Sequence, residues 1–421
     1  MKLETGIKSV EAEIQENKMV LRSKTPLKIL SSAVMNGGLR EAECIVSVHV
    51  PEETGLNIDD DVHRDAGDFL REETAKLGIP QDHLVGIMTA AKMKNVDVVT
   101  SKFEDITLTV IATAGVHFAA TAGDDIASKQ SAFSPMEWGT INVIVLVDGD
   151  LTDSCMVNAV STVAEAKTVA LRELDVRSRF SGEIATGTVT DSVVLACTQR
   201  GRKIAYAGTA TPLGELIGKS VREAVKKALR NQENIVSDRP LTRRLKERGI
   251  TVENMTTLFS QISSVLDQNP EKRRQFMEEV EQVLCDQNIA ALVIAGLRLD
   301  EDAKAGLIPE NPANEYGRNF VLSKILQKAV TDYLSKEQTS YKYVRPDYLS
   351  SIFAEKMGWF TRSILRRHVF CLLKRYRKPA EKAERMKHQT HSSMLTRFFM
   401  LAARLKYLFL GSSSLRKRNQ L

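Results

Sequence analysis

Short apolar runs separated by small-residue turns occupy the chain from about Lys28 to about Arg230, and helical apolar spacing takes over from Leu241. In the first region CIVSVHV (44–50), DITLTVIATAG (105–115), INVIVLV (141–147), EIATGTVTDSVVLACT (183–198) and KIAYAGT (203–209) predict strands. Helical patterns lie between them, in VHRDAGDFLREETAKLG (62–78), DSCMVNAVSTVAEAKTVALREL (153–174) and GELIGKSVREAVKKALRNQ (214–232). This alternation predicts an α/β domain, a mixed sheet with helices packed on it. The run Ile141–Val147 is broken only by Asn142, as expected of a strand buried on both faces, so its polar work belongs at its ends. NQENIVSDRP (231–240) reads as a linker. LTRRLKERG (241–249), MTTLFSQISSVL (255–266), EKRRQFMEEVEQVLCD (271–286), NIAALVIAGLRLDEDAKAG (288–306) and FVLSKILQKAVTDYLSK (320–336) then predict a second, all-α domain. The expected division is 1–235, 241–355 and a basic tail, 356–421.

The net charge of +6 is unevenly placed: Met357–Leu421 holds sixteen Lys and Arg against two acidic residues, a balance of +14, so the preceding residues carry −8. A mildly acidic body thus ends in a strongly basic segment. Its stretch MLTRFFMLAARLKYLFL (394–410) reads as a drifted, dispensable tail or a basic amphipathic helix on an anionic membrane surface. Nucleic-acid binding is not expected, because base-stacking motifs are absent. Five scattered cysteines without a CxxC suit a reducing cytoplasm and argue against a disulfide framework or a zinc site. The charged amino terminus lacks an apolar signal core, and no apolar run approaches the ~20 residues of a spanning helix.

Candidate chemistry gathers at the small-residue corners. SSAVMNGGL offers Asn36, Gly37 and Gly38; VIATAGVHFAATAGDD offers Thr113, Gly115 and His117; WGTIN offers Gly139, Thr140 and Asn142; IATGTVTD offers Thr186, Gly187, Thr188 and Asp191. Glycine at a strand end exposes N–H groups to an anion, and nearby threonines supply donors or a nucleophile. Glu165 and Lys167 stand among Ala and Val on a helix, two residues apart and therefore not a local ion pair. No GxGxxG, Walker loop or GxSxG occurs.

Taken in order, LSSAVMNGGL, VGIMTAAKM, VIATAGVHFAATAGD, GTINVIVLVDGDLTDSCMVNAVSTVAEAKTVALRELDV, IATGTVTDSVVLA and LGELIGKSVREAV resemble the adenosylcobinamide amidohydrolase family, CbiZ, over about 28–230. The resemblance implies hydrolysis of the amide joining the corrin ring to its aminopropanol arm, giving adenosylcobyric acid for cobalamin salvage, with the corrinoid as substrate rather than cofactor. Amide hydrolysis needs a nucleophile or positioned water, oxyanion donors and a proton for the leaving amine. Thr140 is the candidate nucleophile or oxyanion donor, Glu165 the general base, Lys167 a charge stabiliser or acid, and Asp191 the orienting group. The remaining corner residues are candidates for substrate binding. A metal-held water on Asp124, Asp125 and Asp191 is the competing mechanism; the metal is left unassigned. Two positions depart from the family pattern: Ala164 replaces a threonine and Val189 a glycine. A non-catalytic corrinoid-binding module is the alternative reading, and a nucleotide-binding domain built on ATGTVTD a weaker one.

LKERGITVENM, MEEVEQVLCDQNIAALVIAGLRLDEDAKAGLIPE and YKYVRPD resemble the α-ribazole-phosphate phosphatase family, a relative of phosphatidylglycerophosphatase A, over about 241–350. The order of the two parts is that of the bifunctional CbiS fusions of archaeal corrinoid metabolism. Leu322-Ser323-Lys324 stands where that family keeps Ala-Asp-Glu. This loss predicts a folded domain without phosphatase activity, Mg²⁺ being needed only if Asp300, Glu301, Asp302 and Asp347 still hold it.

Overall fold

The computed structural model describes residues 1–50, 62–126, 139–260 and 269–308, with 325, 326, 328, 329, 360, 361, 364 and 365. The tail segment 394–410, Leu322-Ser323-Lys324 and Asp347 lie outside the described residues. The chain divides into two compact units, Met1–Arg248 and Gly249–Leu421.

The first unit carries strands β1 (Lys2–Leu3), β2 (Val10–Gln15), β3 (Lys18–Ser31), β4 (Gly38–His49), β5 (Leu84–Thr89), β6 (Asp97–Phe103), β7 (Ile106–Ala114), β8 (Ala119–Ala120), β9 (Ile141–Asp148), β10 (Asp150–Leu151), β11 (Gly187–Thr188), β12 (Ser192–Cys197) and β13 (Lys203–Ile204). Its helices are α1 (Val62–Ala75), α2 (Asp153–Glu173), α3 (Pro212–Glu233) and α4 (Leu241–Glu247). Nine strands form one mixed sheet in the order β1-β2-β3-β12-β9-β7-β6, with β4 paired to β3 and β5 to β4. Two short ribbons, β10–β13 and β8–β11, stand beside it.

Three apolar clusters show how the sheet is covered. Ile141, Val143, Val145 and Val147 pack with α2 and α3 residues such as Val163, Ala170, Ile217 and Val221. On the opposite face Ile144 and Leu146 meet Leu21, Ile29, Ile45 and Ile87 from β3, β4 and β5. Val46, Val48 and Leu84 bury their outer face beneath Leu70 of α1. Helices α2 and α3 thus cover one face of β9, and other strands of the same sheet cover its opposite face. Strand β9 is therefore buried on both sides, as an apolar run broken only by Asn142 requires.

The sequence-based scheme changes in several places: β5 and β6 are strands it did not include, and 183–198, expected as one strand, holds β11, a turn and β12. The amino-terminal segment forms β1–β3, a strand arrangement the charged composition had hidden. The helix at Leu241, expected to open the second domain, belongs to the first unit. Its anchor is ionic: the Asp175 carboxylate meets Arg177 at 2.5 Å, Arg244 at 3.2 Å and Arg248 at 3.0 Å. Arg239 joins Glu247 at 2.6 Å and donates to the Asp175 carbonyl at 3.0 Å. Burial alone would raise the Asp175 pKa, but the guanidinium groups of Arg248 and Arg177 outweigh it and hold the carboxyl well below its ordinary range.

In the second unit, helices span Val252–Ser260, Pro270–Leu284 and Gln287–Lys304, as the apolar spacing predicts. Asn269 and Asp286 cap the latter two: Asn269 accepts from Lys272 N at 3.0 Å, and Asp286 from Asn288 N at 2.9 Å. Among the described residues no single helix is long and apolar enough to cross a membrane.

Candidate active site

The buried strand β9 begins where β7 ends, and β12 begins beside it in parallel: Asn142 pairs with Thr113 and with Ser192. The Gly139-Thr140, Gly115 and Asp191 corners therefore meet at one end of the sheet. Gly115 N donates to the Thr140 carbonyl at 2.9 Å. Gly139 is needed for this approach, since a Cβ there would stand 2.5 Å from His117 N and 2.7 Å from the Gly115 carbonyl oxygen.

Asp191 is the hub. Its Oδ1 accepts from Ile141 N at 3.0 Å and from the Thr188 hydroxyl; its Oδ2 accepts from Thr188 N at 3.0 Å and is ion-paired with Lys167 Nζ. The pair is largely enclosed, with side chains 13% and 12% exposed. Gly187 covers it, and a Cβ there would lie inside contact distance of Asp191 Oδ2 and 2.9 Å from Lys167 Nζ. The ribbon β8–β11 holds Gly187-Thr188 over the carboxylate through pairing with Ala120 and Ala119. Thr140 is buried, and its hydroxyl donates to the Thr190 carbonyl at 2.9 Å, with Asn142 Oδ1 as a longer acceptor at 3.4 Å.

Asn142 latches the two halves of the sheet: its amide donates to the Met88 carbonyl at 2.5 Å and its oxygen accepts from Ser192 N at 3.1 Å. Thr113 donates to the Thr89 hydroxyl at 3.2 Å on the same inner face. Thr140, Lys167, Asp191, Gly187, Thr188, Gly139, Gly115, Thr113 and Asn142 are thus brought together.

Other candidates stand apart. Glu165 is exposed on α2, and two residues of helix turn it about 200° from Lys167. Asn36 sits in a left-handed turn (φ 58°) and spends its amide on the Gln81 and Leu84 carbonyls, at 2.6 and 2.8 Å, where β5 starts. Gly37 is pressed against Ala33 and Gly38 takes φ 88°, so both serve the β3–β4 turn. His117 is exposed, and its carbonyl accepts from Arg179 at 3.1 Å. Thr186 accepts from Ala122 N at 2.9 Å, stapling the ribbon. Asp124 is engaged by Thr121 N at 2.8 Å and by the Ser178 hydroxyl, and Asp125 is exposed. The metal-water arrangement on Asp124, Asp125 and Asp191 is not assembled: among the described residues no group of three or more His, Cys, Asp and Glu could hold a metal ion.

One carboxylate escaped the sequence reading. Glu233, the last residue of α3, accepts from Val116 N at 2.7 Å beside Gly115. Burial raises its pKa, and the Val116 N–H, His117 and Arg243 offset that only in part, while Glu247 adds to it. Its signal in sequence was nil, because it lies in the polar stretch read as a linker.

The profile of the family described as "CbiZ: Adenosylcobinamide amidohydrolase" matches residues 2–237, more than half of the chain and the whole of this site. The chain belongs to the adenosylcobinamide amidohydrolase family. It is 31% identical over 207 residues to an adenosylcobinamide amidohydrolase of Methanosarcina mazei, 47% of this chain and 88% of the relative. An uncharacterized protein of Methanocaldococcus jannaschii is 30% identical over 241 residues, 54% of this chain and 91% of that one. A Halobacterium salinarum adenosylcobinamide amidohydrolase is 34% identical over 99 residues, 23% of this chain and 38% of the relative. Ala164 is exposed on α2, and Val189, between Thr188 and Thr190, occupies a turn without left-handed backbone.

Proposed function

We propose that this amidohydrolase cleaves the amide between the corrin ring and the aminopropanol arm of adenosylcobinamide, releasing adenosylcobyric acid. The observation that carries the reading is the Lys167–Asp191–Thr188 array directly beside Thr140 at the head of β9. Thr140 acts as nucleophile on the amide carbonyl. Asp191 fixes the strand head through Ile141 N, and Lys167 lends positive charge to the tetrahedral oxyanion. Removing a single oxyanion stabiliser from such a site typically costs about 10²–10³-fold in rate. The glycines at 115, 139 and 187 suit close approach of a broad, flat substrate. Glu165, on another flank of α2, takes no part. Incubation of the full chain with adenosylcobinamide and mass analysis tests this: wild type and Glu165→Gln release adenosylcobyric acid, and Thr140→Ala does not. Binding without release by the wild type would favour a corrinoid-binding module instead.

For the second unit we propose no phosphatase activity. Asp300 accepts from Phe360 N and Thr361 N at 2.8 Å each, and Glu301 joins Arg298 at 2.7 Å. Carboxylates so engaged are poor candidates for holding Mg²⁺ against a phosphate. Phosphate release from α-ribazole phosphate in the presence of Mg²⁺ would overturn this.

A further inference from the structure

The Thr140 hydroxyl meets a main-chain carbonyl and an amide oxygen, neither of which can carry a proton away. Asp191 is already engaged by four donors, and Glu165 is exposed elsewhere. The chemistry proposed above therefore lacks a proton carrier. Glu233 is packed on the same corner. A Cβ built on Gly115 would stand 3.1 Å from Glu233 Oε1 and 3.5 Å from Gly139 Cα, so that carboxylate lies against Gly115, whose N–H binds the Thr140 carbonyl.

This is an unfavourable place for a carboxylate. It is partly buried, which penalises charge, and it ends a helix, where the macrodipole is negative. The groups facing it are Val116 N and His117 from the β7–β8 loop and Arg243 and Glu247 from α4, the last of which opposes its charge. A fold that needed only an acceptor for Val116 N could use a neutral amide there. An ionisable group kept at such a cost beside a candidate nucleophile marks function.

We infer that Glu233 is the proton carrier of this amide hydrolysis, an inference that rests on the Thr140 reading. In the first half its carboxylate takes the Thr140 proton as the Oγ1–carbon bond forms, and gives it to the amine nitrogen as the carbon–nitrogen bond breaks. In the second half it takes a proton from water as the water oxygen bonds to the acyl carbon. That proton returns to Oγ1 as the ester bond breaks. Each half accepts and returns one proton, and water is the sole co-reactant.

The test is steady-state kinetics of the full chain on adenosylcobinamide, from acidic to neutral pH. Glu233→Gln keeps an acceptor for Val116 N but holds no transferable proton. It is expected to lower kcat about 10²–10⁴-fold with KM little changed, and to lose the acid limb of the wild-type kcat/KM profile. Glu233→Asp recovers part of the rate. A Gln variant with wild-type kcat, beside an inactive Thr140→Ala, overturns the carrier and leaves the Thr140 reading standing. An active Thr140→Ala overturns both. A wild-type profile flat on the acid side overturns the carrier whether or not the Gln variant folds.

Discussion

Lys167 and Asp191 form a largely enclosed ion pair whose two members are differently supported, and that asymmetry can be measured. Replacing Asp191 by Asn leaves the Lys167 ammonium without its counter-charge and turns an NH₂ toward donors from Ile141 or Thr188. Breaking an enclosed pair from one side costs about 3–5 kcal/mol, and the small residual exposure places this case near the lower figure. Replacing Lys167 by Met leaves Asp191 with three donors, the Ile141 and Thr188 N–H groups and the Thr188 hydroxyl. One lost charge-assisted bond is worth about 1.5–3 kcal/mol, so Lys167→Met is the milder change. In the double variant the stranded ammonium is gone, and a coupling of about 2 kcal/mol is expected. Thr140 chemistry stays impaired in all three variants. Urea unfolding of the first unit, followed by hydrogen exchange of the buried β9 and β12 amides, gives the free energies. Additivity within about 0.5 kcal/mol, or Lys167→Met as the more damaging change, would refute the reasoning.

Other outcomes follow from the same geometry. Gly187→Ala inserts a methyl against both members of the pair and should lose roughly 1–3 kcal/mol of stability with most of the turnover, read by melts and product assay. Gly218→Ala, which meets nothing within 4 Å inside α3, should instead gain about 0.5–1 kcal/mol with turnover unchanged. Asp175 has a folded pKa below its unfolded one, so its contribution is present above the ordinary carboxylate range and lost as pH falls through and below it. Wild-type melting temperature should therefore fall on acidification. Asp175→Asn, which tolerates the φ of 54° there, should start lower at neutral pH and vary less; parallel curves would contradict this.

How much of this the sequence disclosed depends on where each constraint acts. The run Ile141–Val147 announced β9, because burial on both faces leaves no polar position except Asn142, and that exception marks the latch to Met88. The strand β2 was equally written, in the alternation of Val10, Ala12 and Ile14 with Glu11, Glu13 and Gln15, but its charged half disguised a half-buried strand. Gly187, Thr188 and Asp191 were legible as a corner because a glycine and a carboxylate at a strand entry have few purely local uses. Their pairing with Lys167 was not, since it is made by α2 lying across the sheet. Glu165 shows the limit of proximity in sequence: two residues along a helix point a side chain nearly the opposite way. Glu233 was hidden because an acidic residue among Gln and Asn carries no pattern. Only the left-handed Asn234 that ends α3, at φ 53°, and the fold of β7 beside it give that residue a place.

A Thr140 nucleophile, as proposed, becomes covalently joined to the corrinoid acyl group during turnover. Rapid quenching of the full chain with adenosylcobinamide, followed by peptide mass mapping, tests it most directly. A transient adenosylcobyryl ester is expected on the peptide holding Thr140, abolished in Thr140→Ala together with release of the amine. Undiminished release by Thr140→Ala, with no adduct on the wild type, would contradict it.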